Sequence, residues 1–427
     1  MNLVHIGSFI KLHRLKCKMT QEELSEGIVS LSYLSKIENQ KTNASPEILQ
    51  LLCDRLGIEI SEDTDREIEE KCKEWYDMLF DENDKKVMTE KYEELQPLME
   101  RKINQHTIMF EIHTIRYYIV LRDLGKALHI MNKLHDMADS FNYEESYYWH
   151  KFKGNYYAHK EVHQEALRNY KLAEKVIRLA NIADKEIANL HYALSITHNY
   201  LREDLEAVDY ANRAMTVFQQ NYNFFYCALC HIILGISYQR VKDLDAAIKN
   251  YNLALHLGEL NKNETIVYLA HYNFGYLYSI MGNSEEAIKH YSLAIETKDL
   301  AYKTKLDALT HLVQEFYMIR EYEKAKAYVK QAMEILEVAK CKYDDFYNGY
   351  HNYMIEVYTC LLYDDFKRFK TILTDDFIPY LKRRGDYSNL VFYAKLLATH
   401  LAERGKYKES VEYYKLANSS YDQLIKL

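Results

Sequence analysis

Proline is almost missing from this chain: 427 residues contain three prolines and twelve glycines. Both residues punctuate regular structure. Their scarcity excludes a fold of many short strands and tight turns and leaves long, closely connected helices. No stretch shows the bounded apolar–polar alternation of a strand, so the fold class expected is all-α. No apolar run approaches the ~18 residues that span a bilayer, so no membrane partner is expected. The N-terminal MNLVHIGSFIKLHR lacks the charged-then-apolar layout of a signal peptide. Seven cysteines, an odd number scattered along a long chain, do not form a disulfide framework, and a reducing cytoplasm is the expected location. The net charge of −8 excludes a surface that binds nucleic acid everywhere; any DNA contact has to be a local patch.

Catalytic signatures are absent too. The sequence has no phosphate-binding glycine loop, nucleophile elbow or paired-carboxylate site. Cys227 and Cys230 form a lone CALC with no second pair, which reads as buried small side chains in a helix. His159 and His163 are four apart, but Glu161 between them does not stand at the position of the metalloprotease glutamate. Neither an enzyme, a metal site nor a cofactor is expected.

What the chain does have is forty tyrosines, and a length too great for one compact core. Its first sixty residues stand apart. Ile6 and Ile10 share a helical face, with Lys11, Arg14 and Lys16 on others. Thr20 and Glu23 make a capping box, Leu24 and Ile28 continue the apolar stripe, and Gly27 can take the left-handed turn that stops the helix. Ser30 caps the next helix, in which Leu31, Leu34 and Ile37 are expected to point inward. Ser45, Pro46 and Gly57 delimit a further helix. Short helices with a tight turn between the second and third spell helix-turn-helix. Ser30, Ser32, Tyr33 and Lys36 form the exposed set of the third helix, and Asn39 and Lys41 flank it.

Residues 61–90 read as a linker helix. Their acidic sequence still places Ile68, Cys72, Trp75 and Leu79 on one stripe, a docking face rather than a solvated spacer. From 91 to 427 the chain repeats. Gly235, Tyr238, Ala247, Tyr251 and Ala254 recur forty residues on as Gly275, Tyr278, Ala287, Tyr291 and Ala294. Gly154, Tyr157, Ala166, Tyr170 and Ala173 fit the same template, and looser copies carry Ala127, Ser195, Ala325 and Ser410. About eight helix pairs follow, with small residues letting the helices of a pair approach and tyrosines filling the gaps between pairs. Stacked pairs present the first helix of each on an inner, concave face. The register puts Asn155, Tyr192, Asn199, Gln239, Tyr272, Asn273, Tyr276, Gln314, His351 and Asn352 there. Asparagine and glutamine amides both donate and accept, as an extended peptide backbone requires.

TQEELSEGIVSLSYLSKIEN closely resembles the Xre/Cro-type repressor domains, and the Leu-Gly…Tyr…Ala…Tyr…Ala order resembles the tetratricopeptide repeat, although the period is near forty rather than thirty-four. Together they resemble the Gram-positive peptide-pheromone receptors, the PlcR, NprR, PrgX and Rap group. Rap proteins lack the DNA-binding domain, so PlcR or NprR is the better match. The resemblance implies a right-handed helical solenoid behind the reader, and a homodimeric, cytoplasmic transcription regulator on a palindromic double-stranded operator. A short signalling peptide would bind in the groove, its backbone held by Asn155, Asn199, Asn273 and Asn352. It further implies that the third helix lies in the major groove and that Gln21 anchors a phosphate. Two alternatives stay open: a DNA-tethered protein-interaction adaptor, and a Rap-like modulator of a response-regulator phosphorelay.

Overall fold

Hydroxyl side chains start the first helices where the sequence places them. The structure, a computed structural model, describes residues 6–39, 41–60, 66–81, 84–103, 106–297, 302–340 and 349–426. Helix α1 is Ile6–Lys16, α2 Gln21–Ser25, α3 Leu31–Glu38 and α4 Pro46–Leu56. Thr20 and Glu23 close the capping box on α2, Ser30 caps α3, and Ser45 caps α4, which ends at left-handed Gly57. α1 lies directly on α3 because Gly7 has no side chain: a Cβ there would overlap the Ile37 carbonyl.

Two compact units divide the chain, Met1–Leu201 and Arg202–Leu427. In the first, α4 leads to β1 (Glu59–Ile60), then α5 (Arg66–Asp81), α6 (Lys85–Arg101) and β2 (Lys102–Ile103). β1 and β2 pair in parallel, a two-residue exception in a helical protein. The stretch expected as one linker helix holds α5 and the first turns of α6. Its apolar stripe docks: Ile68, Cys72, Trp75 and Leu79 are buried against α6 and the next helix, α7 (Thr107–Val120). Trp75 packs on Tyr92, Phe110 and Tyr117 and donates its indole N–H to the Met88 carbonyl at 3.1 Å.

Helix pairs then follow, α7 with α8 (Leu124–His135) and α9 (Tyr143–His159) with α10 (His163–Val176); α11 (Asp184–Tyr200) packs on α10 and closes the first unit, and α12 (Asp204–Gln220) opens the second. Next come α13 (Phe224–Arg240) and α14 (Leu244–Leu260), α15 (Glu264–Ile280) and α16 (Ser284–Glu296), and α17 (Tyr302–Met318) and α18 (Tyr322–Lys340). α19 (Tyr350–Leu362) is answered by α20 (Phe366–Thr371) and α21 (Ile378–Arg384), joined through a wide π turn, and α22 (Tyr387–Glu403) pairs with α23 (Tyr407–Lys426). Many turns repeat one device. A residue at positive φ such as Lys242 or Gly282 ends the first helix, and Asp243 or Asn283 caps the second. The cap's N–H returns to the Tyr238 or Tyr278 carbonyl at 2.9 Å, satisfying an orphan helix-end acceptor.

The repeated glycines and tyrosines meet inside a pair. Tyr170 lies on Gly154, Tyr251 on Gly235 and Tyr291 on Gly275, where a Cβ would stand 2.6 Å from the ring. Expected between neighbouring pairs, these tyrosines also sit within their own, in the space that glycine leaves. Tyr251 also reaches the next pair, 5.4 Å from the Phe274 ring.

Candidate DNA-contact face and inner polar faces

The helix-turn-helix is locked by a buried charge. Glu38, at the C-terminal end of α3, is 2 % exposed. Arg14 of α1 donates to both its carboxylate oxygens, at 2.6 and 2.9 Å, and to the Met19 carbonyl at 2.8 Å. Gln21 adds a third donor, 2.7 Å from Oε2. Gln21, singled out as a phosphate anchor, thus gives one amide hydrogen to the clamp that seats α3 on α1.

The opposite side of α3 is open. Ser32, Lys36 and Asn39 are exposed, and Tyr33 is half-buried with its hydroxyl 3.4 Å from the Asn43 carbonyl. Ser30 is exposed and its hydroxyl accepts the Tyr33 N–H at 3.3 Å. Asn39 donates to the Ser35 carbonyl at 2.8 Å. Leu31 does not point inward: it is 50 % exposed, because α3 begins beyond the edge of the core it packs on. Two of the three cations placed on the other faces of α1 are drawn into ion pairs. Arg14 is buried in the clamp, and Lys16 lies 2.5 Å from Glu111 of α7. Lys18, Lys36 and Lys41 remain exposed.

Glu111 ties this reader to the first repeat. It is buried, and Lys133 of α8 holds its other oxygen at 3.2 Å. Burial pushes its carboxyl pKa up, but the two ammonium groups prevail and hold it below the ordinary value. His13 nearby is pulled down to about 4, first by burial and then by Lys16, so it stays neutral. Around this polar knot runs one apolar core. Phe9, Ile10, Leu12, Leu34 and Leu52 of the reader share it with Ile108, Ile112, Ile115, Trp149 and Phe152 of α7 and α9.

On the first helices of the repeats the expected inner residues fall into two sets, one per unit. In the first unit, Asn155 of α9 is half-buried and its side-chain oxygen accepts the Tyr170 hydroxyl at 2.8 Å. Tyr192 and Asn199 are half-buried on α11. In the second unit, Gln239 is buried and accepts from the Tyr251 hydroxyl at 3.1 Å, and Asn273 gives its amide to the Leu269 carbonyl of its own helix at 2.7 Å. Tyr272 and Tyr276 converge on His311, which lies 3.1 Å from the Tyr272 hydroxyl. His351 pairs with Asp307 at 2.5 Å and faces the Thr310 hydroxyl at 3.4 Å. Gln314 and Asn352 are half-buried on α17 and α19.

Asp307, Thr310 and His311 were not singled out from the sequence. For His311 the signal was there: His271, His311 and His351 recur at the forty-residue offset of Gly235 and Gly275. Burial lowers the His311 pKa to about 4, with His351 adding to the effect, and burial followed by the Asp307 charge raises that of Tyr272. Both are neutral near pH 7 and present fixed hydrogen-bonding dipoles. Cys227 and Cys230 are buried in α13, and burial pushes both thiols above their ordinary range.

The chain as a whole has known relatives. The helix-turn-helix family matches residues 10–62, and the tetratricopeptide repeat family matches residues 268–299. The transcriptional activator NprA of Geobacillus stearothermophilus is 32 % identical over 414 residues, 95 % of this chain and 100 % of that protein. The response regulator aspartate phosphatase I of Bacillus subtilis is 23 % identical over 163 residues, 36 % of this chain and 41 % of its own. In fold, the apo quorum sensor NprR from B. thuringiensis superposes with a TM-score of 0.69 at 19 % identity, covering 84 % of this chain and 100 % of that one. NprR has also been solved with its cognate peptide NprX, at a TM-score of 0.62, 19 % identity, and 84 % and 99 % coverage. Kinship along the full length of NprA, through both the reader and the repeats, shows that the chain belongs to the family of peptide-pheromone-responsive transcription regulators.

Proposed function

We propose that this protein binds double-stranded DNA through α3 and that a short peptide, seated against the polar inner helices of its repeats, sets its affinity for the operator. The open face of α3, held by the Arg14–Glu38–Gln21 clamp, carries the reading. The clamp fixes the helix, and Ser32, Lys36 and Asn39 are presented to solvent. Gln21, Ser30 and Tyr33 complete the proposed contact set, with Lys36 on phosphate and Ser32 and Tyr33 nearer the bases. A homodimer would place two copies of α3 about one helical turn, ~34 Å, apart on a palindromic site. The peptide reading is supported by two polar sets, Asn155, Tyr192 and Asn199 in the first unit and Gln239, Tyr272, Asn273, Tyr276, Gln314, His351 and Asn352 in the second. The protein would act in the cytoplasm by binding rather than by catalysis. Among the described residues no helix is long and apolar enough to cross a membrane.

The test is selection of bound duplexes from random fragments by the full chain, with and without cell-free culture supernatant. A palindromic consensus whose affinity changes with the supernatant is expected. Loss of neither DNA nor peptide binding in Lys36→Ala and Asn273→Ala would remove those residues from the reading. The likeness to aspartate phosphatase I favours a second reading, action on a response-regulator phosphorelay. Phosphate release from a phosphorylated response regulator tests it.

A further inference from the structure

Leu31 is the first residue of α3 and half of its surface meets solvent, at 50 %. The core accepts Leu34 and Ile37 and leaves Leu31 out. Its companions on the open side, Ser32, Ser35, Lys36 and Asn39, are all polar. No arginine or glutamine stands at the start of this helix to make a bidentate contact with a base.

The N-terminal residues of a recognition helix are the ones that approach base edges. An apolar side chain there has one chemical counterpart in the major groove. Among the groups the four base pairs present, only the thymine 5-methyl is apolar. We propose that Leu31 packs on a thymine methyl in each half-site, making it a specificity-determining residue. The inference rests on the reading of α3 as the DNA-contact helix. Leucine also selects by exclusion. A cytosine amino group at the same place would be desolvated against a side chain that cannot accept its hydrogen bond.

The experiment uses the full chain and the duplexes it selects from random sequence. Deoxyuridine replaces thymine one position at a time, which removes the methyl and keeps every hydrogen-bonding group. Burial of one methyl corresponds to about fourfold in affinity. At one thymine per half-site, deoxyuridine should weaken wild-type binding about fourfold, while Leu31→Ala binds both duplexes equally. Leu31→Ala should unfold at the wild-type temperature because the side chain is open; Leu31→Gln gives the same readout if the alanine variant does not fold. The proposal is overturned if no thymine shows the methyl effect, or if the effect persists in the variants. A chain that selects no sequence at all overturns the DNA-binding reading, and this inference with it.

Discussion

Glu38 carries a charge where water cannot reach it, and Arg14 is what makes that tolerable. A buried carboxylate stripped of its cation costs far more than the pair contributes. Arg14→Met should therefore destabilise the first unit by about 3–5 kcal/mol, seen as a lower unfolding midpoint, and should weaken DNA binding by loosening α3. Histidines set the acid limit. Burial lowers His113 to about 3, and the ring stacks 3.8 Å from Tyr76. The unfolded chain protonates this group near 6.5 and the folded one does not. Its contribution is complete above 6.5 and is lost as pH falls toward 3, at about 1.4 kcal/mol per pH unit. His113→Phe should flatten the stability profile between pH 6 and 4 by one proton, measured by denaturant titration at each pH. The histidines' residue type is plain in the sequence, but their burial is not. Arg14 and Lys16 read as surface charge for the same reason: the carboxylates that draw them inward lie on other helices.

Helix pairs were legible because glycine leaves a periodic mark. The forty-residue offset locates Gly235 and Gly275, Gly154 fits the same residue template, and each proves to be the seat of a tyrosine ring. Gly235→Ala should force Tyr251 off that seat at a cost of about 1–3 kcal/mol, and Tyr251→Leu in the same chain should recover part of it. Equal stability of Gly235→Ala and wild type by thermal unfolding would deny the contact. Periodicity misled at Leu31. Spacing marks a stripe, but the first residue of an eight-residue helix can lie past the edge of its partner surface. Register put Asn273 among the inward residues, and it could not show that one of its amide hydrogens is given to the Leu269 carbonyl of its own helix. The stripe on α5 was legible, but its partners on α6 and α7 were not. Trp75→Phe keeps most of that packing and loses the N–H bond to Met88. If α5 transmits peptide binding, this variant should keep operator affinity without peptide and show a smaller peptide-induced shift. Equal shifts in fluorescence-anisotropy titrations would reject α5 as the link.

The first sixty residues look like a separate module in the sequence, and the structure gives them no separate core. Phe9, Ile10 and Leu12 lie in the same apolar cluster as Ile112, Ile115 and Phe152. Lys16 and Lys133 share Glu111, and β1 pairs with β2. A fragment ending at residue 60 should therefore lose the cooperative unfolding that a fragment ending at Leu201 retains, as calorimetry of the two would show. The consequence reaches to how such regulators can be recombined. A DNA reader that shares its interior with its neighbour cannot be swapped at the edge of its motif without leaving an apolar wound on both pieces. The block that keeps its interior whole is the first compact unit, reader and opening repeats together, and a chimera that changes operator while keeping its fold should be spliced after that block rather than inside it.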